Sequence, residues 1–208
     1  MRARAGRGLY LAATTGGAVT LVDLPLSGLR IAAARARADG LACRLAVADA
    51  TQLPFAEGTF DAVSHSDLLC CLRRKREALA ACRRVIGARG RMVFAVISVA
   101  PGLSPADEAR AVANGPEFVA AEADYRTLLA RAGWSPVAEH DLTAGFLASF
   151  RRQLSADEAR REALTALIGA AELGERATTW RTKIAAVAEG LLRRTLFVAE
   201  PAPESGRP

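Results

Sequence analysis

Residues 19–40, VTLVDLPLSGLRIAAARARADG, decide the fold. The first five residues form a short β-branched run that ends in Asp23, which is typical of a strand. Three apolar residues at helical spacing, Leu29, Ala33 and Ala36, then predict a helix that ends at a glycine. A strand followed directly by a helix is the repeating unit of a parallel sheet.

The same alternation continues along the chain and predicts an α/β fold, with a parallel sheet covered by helices on both faces. Ser104 and Pro105 mark one helix start, Ser155 and Glu158 form a capping box for another, and two glycines of GARGR (87–91) predict a turn. The further predicted strands are 44–49, 59–66, 91–98, 135–142 and 195–200, and the further predicted helices are 74–86, 104–120, 122–132, 155–172 and 178–193.

Composition and length bound the class of protein. The chain has 208 residues, of which 51% are hydrophobic and 24% charged, and this excludes a disordered or low-complexity protein. We expect one domain over residues 1–200 and a flexible, proline-rich tail over 201–208. The apolar stretches are shorter than the roughly 18 residues that a membrane helix needs, so we expect no membrane insertion and a cytoplasmic protein.

Cysteine and charge patterns restrict the ligands further. The four cysteines form no CxxC pair and have no histidine at ligand spacing, so we predict buried thiols and no metal site. Residues 73–91 hold eight Lys or Arg against one Glu, which accounts for the net charge of +6. No aromatic residues interleave with them, so a solvated helix face is favoured over a nucleic-acid surface.

Polar residues at strand ends are the candidates for a ligand site, because open parallel sheets bind ligands beyond the carboxyl ends of their strands. Asp23 can accept hydrogen bonds from two ribose hydroxyls, or it can cap the next helix. Asp49 can accept an amino proton from adenine while the N–H of Ala50 donates to a ring nitrogen, or it is a simple loop residue. Gly6 and Gly8 precede a helix-like run, where glycine lets the backbone approach a ligand.

The order of these motifs resembles the class I S-adenosylmethionine-dependent methyltransferases of the UbiE-like kind, whose fold is Rossmann-like. The resemblance implies that Gly6 and Gly8 line the methionine part of S-adenosylmethionine, that Asp23 and Leu24 hold its ribose and that Asp49 and Ala50 frame its adenine. It also implies that Ser64 to Asp67, with Ser66 among them, border the methionine moiety and the methyl acceptor. The resemblance rests on GRGLYLA (6–12), LVDLP (21–25), VADATQLPFAEGTFDAV (47–63), LRRKREALAACRRVIGARGRMVFAV (72–96) and YRTLLARAGWSPVAEHDL (125–142).

The start of the chain departs from this family. The family begins with a buried central strand, but only MRARA precedes Gly6, and burying its arginines unpaired would cost several kcal/mol each. We therefore expect the first central strand to be missing, which leaves the strands on either side about 9.6 Å apart, and we favour a truncated start. A dinucleotide-binding fold is disfavoured, since Leu11 stands where its third glycine belongs.

The expected function is methyl transfer to a small-molecule acceptor. Displacement at a sulfonium needs positioning rather than a nucleophile, and His65 is the first candidate for a general base if the acceptor carries a proton, although a packed histidine is the more common reading. His140 is a weaker candidate. We expect the helix at 104–120 and the two C-terminal helices to cover the pocket and to select the acceptor. The alternative is a non-catalytic scaffold that acts through a protein partner at its exposed sheet edges. Candidate cap aromatics, most of them expected in the core, are Phe118, Tyr125, Trp134, Phe146, Phe150 and Trp180.

Overall fold

The computed structural model describes the backbone of residues 3–203 and the side chains of residues 8–203. A single 3₁₀ turn at Leu69–Cys71 precedes α3. The helices are α1 (Ala3–Thr15), α2 (Leu26–Ala38), α3 (Lys75–Val85), α4 (Pro105–Asn114), α5 (Tyr125–Arg131), α6 (Thr143–Ala159), α7 (Arg161–Ile168) and α8 (Ala170–Ala188). The strands are β1 (Val19–Asp23), β2 (Cys43–Val47), β3 (Phe60–Ser66), β4 (Ile86–Val99), β5 (Trp134–Asp141) and β6 (Leu192–Pro201).

The strands form two separate sheets. β1 pairs in parallel with β2, and the second sheet has the order β3-β4-β6-β5, in which β3 and β4 are parallel and β6 is antiparallel to both of its neighbours. Within residues 3–203, β1 pairs only with β2 and β3 only with β4. The predicted α/β fold is therefore confirmed, while the predicted parallel sheet is two sheets, in the larger of which two of the three pairings are antiparallel.

The N-terminal glycines lie elsewhere than the sequence predicts. Gly6 and Gly8 do not precede a helix but lie inside α1. A Cβ at Gly8 would collide with Cδ2 of Leu21 in β1, so the missing side chain lets α1 pack closely on that strand. Leu9 is buried beside it. The physical reason for the error is that a glycine needed for close packing looks the same in sequence as one in a ligand loop.

The C-terminal helices also differ from the prediction. The capping box at Ser155 and Glu158 is wrong, because both residues lie inside α6, which begins twelve residues earlier. The actual start is marked by Asp141, whose Oδ1 accepts a hydrogen bond of 2.7 Å from the backbone N–H of Thr143. The helix that was predicted to end at residue 172 ends before Gly169, which has φ +84° and separates α7 from α8.

The predicted turn at residues 87–91 is an extended segment of β4. Its pairing with β3 shifts from Phe60 opposite Ile86 to Ala62 opposite Arg91, so the extra residues form a bulge rather than a turn. A Cβ at Gly90 would lie 2.9 Å from the carbonyl oxygen of Asp61, which leaves no room for a side chain. Glycine is therefore required here by close backbone approach.

The main core lies between the four-stranded sheet and the helices that cover it. Cys70 and Cys82 belong to this core, whereas Cys43 is half-buried and Cys71 is exposed, which corrects the prediction of four buried thiols. The largest side chains with almost no exposure are Trp134, Phe94, Leu69, Leu79, Met92, Leu128, Leu129 and Leu192.

The C-terminal end of β6 bears on the predicted tail. Pro201 belongs to β6, and the N–H of Ala202 donates to the carbonyl oxygen of Gly133 at 2.9 Å, so the predicted tail starts later than residue 201. Residues 204–208 of that tail lie outside the described residues, and the single domain over 1–200 stays a prediction. Among the helices described, none combines the length and apolar character needed to cross a membrane.

Candidate functional site

The carboxyl ends of β1 and β2 bring Asp23 and Asp49 close together. The N–H of Ala48 donates to the backbone oxygen of Asp23 at 3.2 Å, which continues the parallel ladder just beyond the two strands. Oδ1 of Asp23 accepts a hydrogen bond of 2.9 Å from the N–H of Leu24, while its Oδ2 lies beside Gly28. Pro25 is the N-cap residue of α2, and no side chain caps that helix. Asp23 therefore does not serve as the helix cap that was the alternative reading.

Asp49 is held by two neighbours. Its Oδ1 accepts hydrogen bonds from the N–H and the hydroxyl of Thr51, at 2.8 and 2.9 Å, and its Oδ2 accepts one of 3.2 Å from Nη2 of Arg74. The hydrogen bonds from Thr51, with a smaller contribution from the charge of Arg74, lower the pKa of Asp49 below its usual value. The sequence analysis missed Arg74, because it read that residue only as part of the basic run.

The turn after β3 contains a second charged cluster. The hydroxyl of Ser66 donates to Oδ2 of Asp67 at 2.9 Å, and the guanidinium of Arg194 in β6 donates to both carboxylate oxygens of Asp67, at 2.9 and 2.8 Å. Nη2 of Arg194 also donates to the hydroxyl of Ser66 at 3.0 Å. Ser66, predicted from the sequence, is thus fixed by a partner 128 residues away that no local pattern indicates.

Arg194 also contacts the first turn of α6. Its backbone N–H donates to the hydroxyl of Thr143 at 3.1 Å, and its backbone oxygen accepts from the N–H of Leu142 at 2.8 Å. Its guanidinium carbon lies 5.7 Å from the centre of the Phe146 ring, within the range of a cation–π contact. One arginine thus connects the turn after β3 with the C-terminal helices.

His65 lies in the sheet rather than in an opening. Its ring stacks on Phe94 with centroids 4.9 Å apart, and both ring nitrogens are buried without a hydrogen-bond partner among the described residues. Burial lowers the pKa of His65 to about 4, so the ring is neutral at pH 7. Its placement matches the packed histidine of the alternative reading. It lacks the hydrogen-bonding path to an acceptor that a general base needs.

The basic segment at residues 73–91 is mostly occupied by contacts within the fold. Arg84 donates to the backbone oxygens of Leu53 and Phe55, and the buried Lys75 donates to the backbone oxygens of Leu72 and Phe118. Four more arginines of the segment have partners: Arg73 lies over the Phe118 ring, Arg74 donates to Asp49 and Thr51, Arg83 donates to the Gly133 oxygen, and Arg91 pairs with Glu200. These contacts give the charge cluster a structural explanation, while the absence of nucleic-acid binding stays a prediction.

Three of the candidate aromatic residues, Tyr125, Trp134 and Phe146, belong to the core, and Phe150 packs against it. The indole N–H of Trp134 donates to the backbone oxygen of Leu79 at 3.0 Å. Three aromatic residues of α6 and α8 form a contiguous row, in which the centroids of neighbouring rings are 4.3 and 5.5 Å apart. This row consists of Phe146, Phe150 and Trp180.

Comparison with known proteins finds a methyltransferase match in the first half of the chain. The sequence model of the family described as "Methyltransferase domain" matches residues 3–94, which contain both aspartates and the β3 turn. The match to this methyltransferase family covers 92 of the 208 residues. Over 91 residues the chain is 41% identical to the ubiquinone/menaquinone biosynthesis C-methyltransferase UbiE of Bordetella avium (strain 197N), covering 43% of the chain and 36% of that protein. It thus spans about a third of the length of this curated relative.

Solved structures support the fold over nearly the whole chain. A protein provisionally described as a sarcosine dimethylglycine methyltransferase, from Galdieria sulphuraria, matches with a TM-score of 0.86 and 13% identity over 96% of this chain and 75% of that one. Phosphoethanolamine N-methyltransferase 2 of Haemonchus contortus matches with a TM-score of 0.80 and 19% identity, covering 96% and 47%. The geranyl diphosphate C-methyltransferase of Streptomyces coelicolor A3(2) matches with a TM-score of 0.72 and 18% identity, covering 96% and 68%. At these identities the likeness shows the fold alone.

Proposed function

We propose that this protein transfers the methyl group of S-adenosylmethionine to a small-molecule acceptor. The observation that carries the proposal is the pair of carboxylates at adjoining strand ends, Asp23 and Asp49, inside the family match at residues 3–94. The relatives give independent support, since the Haemonchus and Streptomyces enzymes were solved with S-adenosylhomocysteine and with phosphomonomethylethanolamine or geranyl diphosphate, which are small molecules.

The residues at the strand ends differ in how well they fit the cofactor. Asp23 fits the ribose, because its Oδ2 accepts no hydrogen bond from any described residue and is free for a hydroxyl. Leu24 follows it with a side chain that is 63% exposed, so it can cover the sugar. Asp49 retains one site on Oδ2 beside Arg74 for an adenine amino group, with the N–H of Ala50 next to it.

The methionine end is assigned to the turn after β3. The Ser66 hydroxyl is held in place by Asp67 and Arg194 and lies at the carboxyl end of a parallel strand. Gly6 and Gly8 were expected at this end of the cofactor. Gly8 is used in packing against Leu21, so we assign the contact to the β3 turn instead.

The cofactor supplies an activated methyl group with a neutral leaving group, so the chain's task is to position the acceptor rather than to form a covalent bond. We assign no residue as general base, because the nitrogens of His65 are buried away from any opening. We assign the acceptor side to α4, α6 and α8, where Phe150 and Trp180 are half-buried and Phe146, a core residue, packs on Phe150. We place the reaction in the cytoplasm, because the four cysteines are free thiols.

The test is a calorimetric titration with S-adenosylhomocysteine, which needs no knowledge of the acceptor. We expect micromolar binding to the folded wild-type chain. Asp23→Asn should weaken it about 10- to 100-fold, because a hydrogen bond to a charged acceptor contributes roughly 1.5–3 kcal/mol. Asp39→Asn is the matched control, since Asp39 is exposed at the other end of α2 and should leave the affinity unchanged. A folded chain that binds no S-adenosylhomocysteine would overturn the proposal.

A further inference from the structure

Arg194 has an unusual number of contacts for a strand residue. Only 15% of its side chain is exposed, and it donates three hydrogen bonds to the turn after β3, two to Asp67 and one to Ser66. The two bonds to Asp67 form the parallel fork by which an arginine fixes the orientation of a carboxylate. The turn therefore has one preferred arrangement as long as the guanidinium is in place.

The turn that Arg194 holds has a strained backbone. Asp67 has φ +53° and is the one residue other than glycine with positive φ among those described. Its N–H donates to the backbone oxygen of Ala95 at 2.7 Å, so β4 holds the backbone while Arg194 holds the side chain. Strained conformations of this kind persist only where the surroundings over-determine them, and they concentrate at functional sites.

A need for stability alone does not explain this cluster. The pair is partly buried, with 15% of the Arg194 side chain and 31% of the Asp67 side chain exposed, and such a pair is on average no more stabilising than apolar residues of the same volume, so we look for its role in the geometry of the turn. The neighbouring Arg193 is exposed and makes no such contacts. Arg194 also bonds to Thr143 and stacks on Phe146, so the position of the turn is coupled to the start of α6.

We propose that Arg194 is a positioning residue for the amino-acid end of the cofactor. It acts through Ser66 and Asp67, whose arrangement it fixes at the end of β3, and it does not itself contact the adenosine end. This inference rests on the proposed function, because the turn borders the cofactor only if the cofactor lies at the carboxyl ends of β1, β2 and β3. It adds a residue from the C-terminal third of the chain to a cofactor site whose other proposed residues lie within 3–94.

The test compares two probes that differ only in the amino-acid end. S-adenosylhomocysteine carries that end, and 5′-methylthioadenosine lacks it, while both carry the adenosine. With Arg194→Ala we expect the affinity for S-adenosylhomocysteine to fall at least tenfold and that for 5′-methylthioadenosine to stay within about threefold. Arg193→Ala is the matched control on the adjacent residue and should leave both affinities unchanged.

Arg194→Lys keeps the charge and the apolar stem but cannot form the fork to Asp67. It guards against a failure of the alanine variant to fold, and it should show the same selective loss for S-adenosylhomocysteine at a near wild-type melting temperature. Equal losses for both probes, or no loss for either, would overturn the role of Arg194. Binding of neither probe by the wild-type chain would instead overturn the proposed function, so the two failures are distinguishable.

Discussion

Replacing Asp157 with asparagine should destabilise the C-terminal helices. This carboxylate in α6 is buried, with 8% of its side chain exposed. Its Oδ2 accepts hydrogen bonds from Nε of Arg176 at 2.6 Å and from the indole N–H of Trp180 at 2.9 Å, and its Oδ1 accepts one of 2.9 Å from the side chain of Gln153. Asparagine has the same shape, but its amide presents a donor where one carboxylate oxygen was.

The expected cost follows from these contacts. At least one donor that faces Asp157 loses its acceptor, and leaving a buried donor unpaired costs about 1–3 kcal/mol. The contribution of Arg176 is discounted, because 43% of its side chain is exposed and water can replace the lost partner. We therefore expect a loss of about 2 kcal/mol in the free energy of unfolding, which lowers Tm by about 4–8 °C in a chain of this length.

The neighbouring ion pair provides the control. Glu158 and Arg181 join the same two helices at 3.5 Å, but their side chains are 47% and 57% exposed. Glu158→Gln should change the free energy of unfolding by less than about 0.5 kcal/mol. Urea unfolding of both variants, checked for two-state behaviour, measures the difference. Equal losses for the two variants would refute the reasoning, since burial of Asp157 would then have no effect.

The pH dependence gives an independent check on the same residue. The hydrogen bond from Arg176 lowers the pKa of Asp157 in the folded protein, so the folded state favours the ionised form. The stability that Asp157 contributes is therefore present above its unfolded pKa of about 4 and is lost as the pH falls through the lower folded pKa. The difference between wild type and Asp157→Asn should be constant from pH 8 to 5 and should shrink below pH 4. A difference that grows in acid would contradict this assignment.

Two further predictions concern packing and thiol reactivity. Gly90→Ala should lower the free energy of unfolding by at least about 1 kcal/mol, because the new Cβ would lie 2.9 Å from a backbone oxygen of β3. Gly174→Ala in α8 is the control, since its Cβ would meet open space and should raise the free energy of unfolding by about 0.5–1 kcal/mol. Urea unfolding of the two variants measures both values, and the opposite order would contradict this packing. Cys71 is exposed and should react first with a thiol reagent. Burial raises the pKa of Cys70 and of Cys82 to about 12, so both thiols should react only when the protein unfolds. Mass spectrometry follows the labelling, and early labelling of either buried thiol would show that the core is open.

Local sequence patterns predicted the elements that depend on neighbouring residues. The strand ending at Asp23 and the helix after it form as predicted, and the Oγ of Ser104 accepts from the N–H of Asp107 as the capping pattern requires. The pattern at Ser155 and Glu158 failed, because the same residues also fit a helix interior when tertiary contacts hold the helix together. A capping motif alone does not distinguish a helix start from a helix interior, because the difference depends on the residues that pack against it.

The candidate site was predictable only in part, for the same reason. The positions of Asp23, Asp49 and Ser66 at or just after the ends of strands could be predicted from their order along the chain, but the division of these strands between two sheets could not. Arg194 pairs with Asp67 across 127 residues, and Arg74 reaches Asp49 across 25, so neither pairing leaves a local signature. Gly8 shows the converse error, since its role in packing against β1 resembles a ligand loop in sequence.

The most direct test of the central claim is to locate S-adenosylhomocysteine on the chain by amide chemical-shift mapping in solution. If the cofactor lies at the carboxyl ends of β1, β2 and β3, the amides that shift on titration should cluster at residues 23–25, 48–51 and 64–67. Those of α7, which lies among the C-terminal helices, should not shift. Saturable shifts confined to other regions, or no shifts in a chain with a folded spectrum, would contradict the account.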